Sequence, residues 1–271
     1  SLRGSDWDYV VLQDQSQIPS LPTSDSNWQA SKNGAVDIST EVEAEGAETV
    51  LFMTWGRRSG ESANQWHQYN NINQNFTSMQ ERLTEGYTRY AENITTAGNT
   101  VWMAPVGLAF KSIHDAVEAN GTNASQSGNL FYDLYTADGS HPSLKGSYLA
   151  ACVMFSTMSG ESCVGSTDSV SISSSVKLEL QQAADDTVFN QTSGMSYYPW
   201  EISGASALSM GASIPNGWYL QWVDDEVSQL AAGANQTVTL NLSVPSDSVP
   251  GYYGYRLTIG STNGNVTTST L

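Results

Sequence analysis

The chain has 271 residues, 39% of them hydrophobic, enough for one large domain or two modest ones with a buried core. Its net charge of −17, with only 10 Lys and Arg, supplies no basic footprint for nucleic acid and disfavours an anionic membrane surface. No run of about eighteen apolar residues occurs, so no membrane span is expected, and Ser1 to Asp6 do not read as a signal peptide, which places any targeting segment upstream or already removed.

In chain order, Trp7 to Gln13 reads as a short, buried parallel strand, β-branched and bounded by polar residues. Asn27 to Glu48 has helical spacing, and Thr49 to Trp55 is a second buried strand stopped by Gly56. Phe76 to Ala97 is a long amphipathic helix with Met79, Leu83, Tyr87 and Tyr90 on one face. A third strand, Thr100 to Ala104, leads through Pro105 into a helix ending near Glu118, and a polar loop from Asn120 to Asn129 follows. Helices are expected again over Ser143 to Met158 and Val176 to Val188. Strands alternating with helices predict an α/β layer with a parallel sheet, whose ligands bind beyond the C-terminal strand ends. That is where Gln13 to Ser16, Trp55 to Arg58 and Asp138 to His141 fall.

From about Thr192 the pattern changes to period two, with Trp200 to Ile202, Trp218 to Trp222, Thr237 to Val244 and Tyr253 to Ile259 separated by Gly and Pro turns. A small antiparallel β-sandwich is expected there, so the boundaries fall at residues 1–192 and 193–271.

Eight Asn-x-Ser/Thr sequons, at Asn75, Asn93, Asn120, Asn123, Asn190, Asn235, Asn241 and Asn265, suit an extracellular or cell-surface glycoprotein. Cys152 and Cys163 are spaced wrongly for a redox pair and lack the His of a zinc site. They either close a short disulfide loop at a helix end or leave a buried thiol on the helix face. His67 and His114 show no acidic partner at metal spacing and read as surface or loop residues. Arg57 and Arg58 either meet an anionic or sugar substrate or lie on a solvated face. Trp55, Trp66 and Trp102 either stack on sugar rings or belong to the core.

The most informative stretch is Ala137-Asp138-Gly139-Ser140-His141-Pro142, running into an apolar helix. An Asp three residues before a His can hold Nδ1–H and leave Nε2 to accept a proton from a hydroxyl. The alternative is a surface Asx turn with a capping His. This stretch resembles the last block of the SGNH (GDSL-type) serine hydrolases, in which Asp-x-x-His supplies two thirds of a triad. The resemblance covers roughly residues 5 to 190 and implies an SGNH (flavodoxin-like) sheet, incomplete at its N-terminus. It implies His141 as base and Asp138 as its orienting partner, with no metal or organic cofactor. Gln13-Asp14-Gln15-Ser16-Gln17 stands where many members have Gly-x-Asn-Asp, so Gln15 or Gln17 takes an oxyanion role or is a loop-capping amide. The Gly-Asp-Ser or Gly-Asn-Ser block with the nucleophile is not found. Ser16 follows the wrong strand, and Ser140 adjoins the His on its own turn.

Ala231-Ala232-Gly233-Ala234 and Val244-Pro245-Ser246-Asp247-Ser248-Val249-Pro250-Gly251-Tyr252-Tyr253 resemble Ig-like modules of secreted glycosidases and archaeal surface proteins. The SGNH resemblance further implies that Asp8 to Gln13 has an open edge. An upstream piece or a neighbouring subunit is expected to cover it, with a homo-oligomer or filament as one outcome. Two functions stay open. One is an extracellular serine esterase acting on ester or O-acetyl groups of carbohydrates. The other is an inactive glycosylated surface or filament subunit that keeps the fold. A carbohydrate-binding module, suggested by the Trp and Tyr of the tail, ranks below both.

Overall fold

The computed structural model describes residues 6–61 and 72–189 and, in the C-terminal part, residues 205–206, 209–213, 219–222, 229–230, 239–246 and 256–260. By contact the chain divides into two units, Ser1–Met154 with Gly165–Tyr197, and Phe155–Val164 with Tyr198–Leu271.

The first unit is α/β. Strands β1 (Tyr9–Leu12), β2 (Glu48–Phe52) and β3 (Val101–Ala104) form a parallel sheet in the order β1-β2-β3, in register Val11↔Val50 and Leu51↔Met103. Helices α1 (Ser26–Ala44) and α2 (Phe76–Thr96) complete the connections between them. Helices α3 (Val106–Ala119), α4 (Leu130–Asp133), α5 (Leu144–Ser159) and α6 (Ser174–Phe189) follow.

Side chains alternate across each strand, so Leu51, Met53, Val101 and Met103 share one face. They pack with Trp28 of α1 and with Tyr87, Tyr90, Ala91 and Ile94 of α2 in one core cluster. Met79, Leu83, Tyr87, Tyr90 and Ile94 of α2 are all buried, as their spacing of three and four residues requires. Burying each such side chain contributes about 1.5–3 kcal/mol. The N-terminus of α2 is closed by a capping box, in which the Asn75 side chain accepts from the Ser78 N–H at 2.9 Å and the Ser78 hydroxyl faces the Asn75 N–H. Asp25 caps α1 by accepting from the Asn27 N–H at 2.8 Å.

One expectation is corrected. β1 is parallel but not buried: Val11 is 43% and neighbouring Trp7 52% exposed. The reason is position, since β1 pairs with β2 on one side, and among the described residues no strand pairs with the other.

In the second unit the described strands form three antiparallel pairs. They are β4 (Ala205–Ser206) with β7 (Gln229–Leu230), β5 (Ser209–Ser213) with β9 (Arg256–Gly260), and β6 (Tyr219–Trp222) with β8 (Leu240–Ser243). β6 and β8 fall within segments of period-two alternation and β9 overlaps one, whereas β4, β5 and β7 carry too little apolar alternation to be legible. Trp200 to Ile202 lies outside the described residues.

Candidate functional site

Because the three strands are parallel, the segments after β1, β2 and β3 emerge at one end of the sheet. After β1, residues 13–17 lead into a 3-10 turn, Ile18–Ser20. After β2 comes Met53 to Glu61. The two are joined through Asn73, whose Nδ2 donates to the Ser20 hydroxyl at 2.7 Å and whose carbonyl accepts from the Glu61 N–H at 2.6 Å.

The segment Thr136 to His141 is closed on itself by Thr136 N–H donating to the His141 carbonyl at 2.9 Å. Gly139 has φ +67, a backbone region open to glycine at no steric cost. Within this loop Asp138 accepts four hydrogen bonds. Its Oδ2 lies 2.6 Å from His141 Nδ1. Its Oδ1 takes the backbone N–H groups of Ser140 at 2.8 Å and His141 at 2.9 Å and the Thr136 hydroxyl at 2.8 Å. These contacts, the His141 ring first, hold the Asp138 carboxyl well below the ordinary carboxylate range. The geometry is therefore an Asx turn and an Asp–His dyad at once, because the two carboxylate oxygens divide the tasks.

The loop is held onto the β2 segment by donors far away in sequence. Arg58 N–H donates to the Gly139 carbonyl at 2.8 Å, and Trp55 Nε1–H donates to the Ser140 carbonyl at 3.0 Å. The Arg58 guanidinium lies 3.8 Å from the Tyr132 ring centroid, a cation–π contact, and a side chain at Gly139 would come within 3.2 Å of it. Trp55 stacks on Phe110 with centroids 4.8 Å apart. Arg57 pairs with Glu61. Burial pushes its guanidinium below the ordinary arginine range, opposed by the charge of Asp138.

Asp138 and His141 are thus brought together beside the segment that follows β2, and the His141 side chain is 78% exposed. Among the described residues no hydroxyl is hydrogen-bonded to its ring. Gln15 is exposed, and its Oε1 caps the loop by accepting from the N–H groups of Gln17 at 2.7 Å and Ile18 at 3.2 Å. Gln17 is only 2% exposed, with Oε1 buried and unpartnered.

Asp14, between β1 and Gln15, was not singled out by its sequence context. Its Oδ2 accepts from the Ser31 hydroxyl at 2.6 Å and the Tyr90 hydroxyl at 2.8 Å, and its N–H donates to the Tyr87 oxygen at 3.2 Å. Burial pushes the Tyr87 phenol up to about 12 and raises Tyr90 as well. The hint in the sequence was the Tyr87/Tyr90 pair on the buried face of α2, which needs a polar partner for its hydroxyls.

Other expected positions divide as follows. Trp102 belongs to the core, with Nε1–H donating to Glu48 at 2.6 Å. His114 is corrected from a loop or surface residue: it lies in α3 against Phe76 and Phe131, with Nδ1 2.9 Å from Asp115. Trp66 and His67 lie outside the described residues. Cys152 and Cys163 are disulfide-bonded and buried. Of the sequons, Asn75, Asn120, Asn123 and Asn241 are exposed, whereas Asn93 is half-buried with Nδ2 bonded to the Arg89 carbonyl at 2.7 Å. Asn190, Asn235 and Asn265 lie outside the described residues. Among those residues no group of His, Cys, Asp and Glu could hold a metal ion, and no helix is long and apolar enough to cross a membrane.

Residues 202–261 match the model of the NPCBM-associated, NEW3 domain of alpha-galactosidase. Comparison with curated proteins gives no match. Two solved structures are similar. One is a DUF4886 family protein from Bacteroides uniformis, with TM-score 0.53 and 18% identity over 70% of this chain and 65% of that one. The other is a protein of Slackia heliotrinireducens described as a "putative SGNH hydrolase", with TM-score 0.40 and 26% identity over 56% of this chain and 66% of that one. The chain thus spans about two thirds of the length of each. The first of these likenesses shows the α/β fold alone.

Proposed function

We propose that this chain carries the acid–base half of an SGNH-type serine esterase, acting on ester or O-acetyl groups of carbohydrates outside the cell. The observation that carries the reading is the 2.6 Å contact between Asp138 Oδ2 and His141 Nδ1. It fixes the imidazole and leaves Nε2 as the nitrogen available for a proton. A serine hydroxyl, from a segment other than the described residues, attacks the acyl carbon and yields its proton to His141 Nε2. His141 then protonates the leaving sugar oxygen, and water releases the acyl group by the same route in reverse. Asp138 stays ionised and stabilises the imidazolium. Gln15 suits the oxyanion role better than Gln17, since its oxygen is tied to the backbone and its amide nitrogen is left to donate. The NEW3 match supports a carbohydrate context.

The edge of β1, unpaired among the described residues, fits the same reading, since a further strand pairing there adds to the sheet beside the Gln13–Gln17 loop. That strand comes from the same polypeptide or from a neighbouring subunit. A serine-directed fluorophosphonate, with acetylated xylan as substrate, tests the esterase. Labelling and acetate release that are both abolished in His141→Ala are expected. No labelling of the full-length native protein and no acetate release overturn the proposal.

The exposure of His141 favours a second reading, a glycosylated surface or filament subunit that keeps the fold without the chemistry. Chromatography of native material with intact mass tests it. Glycosylated oligomers that take no label support the scaffold, and an unglycosylated, labelled monomer excludes it.

A further inference from the structure

A concavity lies along the middle of α2, where the 3-10 turn Ile18–Ser20 and Trp28 of α1 face it. It has a volume of about 210 Å3 and is walled by Pro19, Trp28, Arg82, Glu85, Gly86 and Arg89, with Ser20 to Thr23 along its rim. Arg82, Gly86 and Arg89 are four and three residues apart, so they share one face of α2 with the glycine in the middle. The two guanidinium groups are matched by one carboxylate: Arg89 pairs with Glu85 at 2.6 Å. Arg82 has no ion pair among the described residues, and its Nη1 donates to the Ser20 carbonyl at 3.5 Å. A cleft with an excess cation stands out in a chain of net charge −17, where a free arginine is surrounded by potential partners.

The second, independent feature is Trp28. It is 3% exposed, lines the cleft, and its indole Nε1–H is buried with no hydrogen-bond partner. An unsatisfied buried donor costs about 1–3 kcal/mol, and Nε1–H can only donate. The donor and the unpaired guanidinium want the same thing, an anionic oxygen acceptor. Guanidinium forks suit planar carboxylates. The space is more than ten times the ~10–15 Å3 that a cavity needs, on this measure, to hold one water.

We propose that this cleft binds a carboxylate-bearing ligand of monosaccharide size, with Arg82 taking the carboxylate and Trp28 Nε1–H donating to the same group. This site involves no hydrolysis and does not depend on the esterase reading.

The test follows the Trp28 indole N–H resonance of 15N-labelled full-length protein during titration with sodium glucuronate, with glucose and sodium chloride as parallel titrants. A saturable shift with glucuronate alone is expected, with affinity reduced at least about tenfold in Arg82→Gln, the loss expected for one strong charged contact. No shift, an equal shift with glucose or chloride, or unchanged affinity in folded Arg82→Gln overturns the proposal. Should Arg82→Gln not fold, Arg82→Lys replaces it. That variant keeps the charge and loses the fork, so weaker binding supports the site and unchanged binding overturns it.

Discussion

Gly86 and Gly34 both lie inside helices, and the same substitution should act on them with opposite sign. An alanine at either position gains about 1 kcal/mol of helix propensity. At Gly34 of α1 an added Cβ meets nothing within 4 Å, so Gly34→Ala should stabilise the protein by about that amount. At Gly86 of α2 the Cβ would lie 1.9 Å from the Pro19 carbonyl oxygen and 2.7 Å from its carbon. Both are backbone atoms, so no rotamer change relieves the clash, and the 3-10 turn Ile18–Ser20 must move off α2. Overpacking of this kind costs typically 1–3 kcal/mol, and a backbone contact this close belongs at or beyond the upper end. After subtracting the propensity gain, Gly86→Ala should be less stable by about 2 kcal/mol. Urea unfolding followed by circular dichroism measures both, with the denaturant slope unchanged if only native stability shifts. The displaced turn should also loosen the segment that carries Gln15 and Gln17. A Gly86→Ala protein as stable as the parent, with Gly34→Ala raising stability normally, would refute the close packing of this turn against α2.

Three further expectations concern the Asp138 loop and the disulfide. Asp138 should titrate below its ordinary value of 3.8, because the folded loop favours the carboxylate. Its contribution to stability is therefore complete above the unfolded value and is lost as pH falls through the folded one. Carboxyl carbon shifts by NMR check this, and a midpoint at or above 3.8, or no rise in His141→Ala, contradicts it. Arg58→Ala should cost about 0.5–1 kcal/mol of cation–π contact with Tyr132. It should also speed exchange of the Ser140 and His141 amides that donate to Asp138, whereas unchanged exchange shows that the guanidinium does not position the loop and leaves that task to the Arg58 backbone N–H. Reducing Cys152–Cys163 should cost about 2–3 kcal/mol, as for a short closed loop. Thermal unfolding with and without reductant reads this, and an unchanged midpoint would show that the bond constrains nothing.

Local physics was legible in the sequence. The α2 face from Met79 to Tyr90 and the parallel strands around Val50 and Met103 follow from apolar periodicity, which acts over a few residues. The Asp138–Gly139–His141 turn follows from spacing within one loop, so the carboxylate–imidazole contact could be expected before any tertiary structure. Gln15 caps its own loop, since the N–H donors that its Oε1 serves are two and three residues away, and its amide nitrogen stays available for the proposed oxyanion role.

What only the tertiary structure decided arises between residues far apart in the chain. The apolar run at β1 reads as buried because periodicity reports side-chain character and not strand neighbours. Its place at an edge, which the family resemblance had implied, follows from pairing with β2 alone among the described residues. Trp55 and Arg58 hold the Asp138 loop from about eighty residues away, and nothing in either segment names the other. Asp14 meets Tyr90 across 76 positions. The excess charge at Arg82 emerges only when Glu85 turns to Arg89 and Trp28 of another helix closes the cleft. Short-range preference sets which elements form, whereas long-range packing sets which polar groups find partners and which are left to meet a ligand.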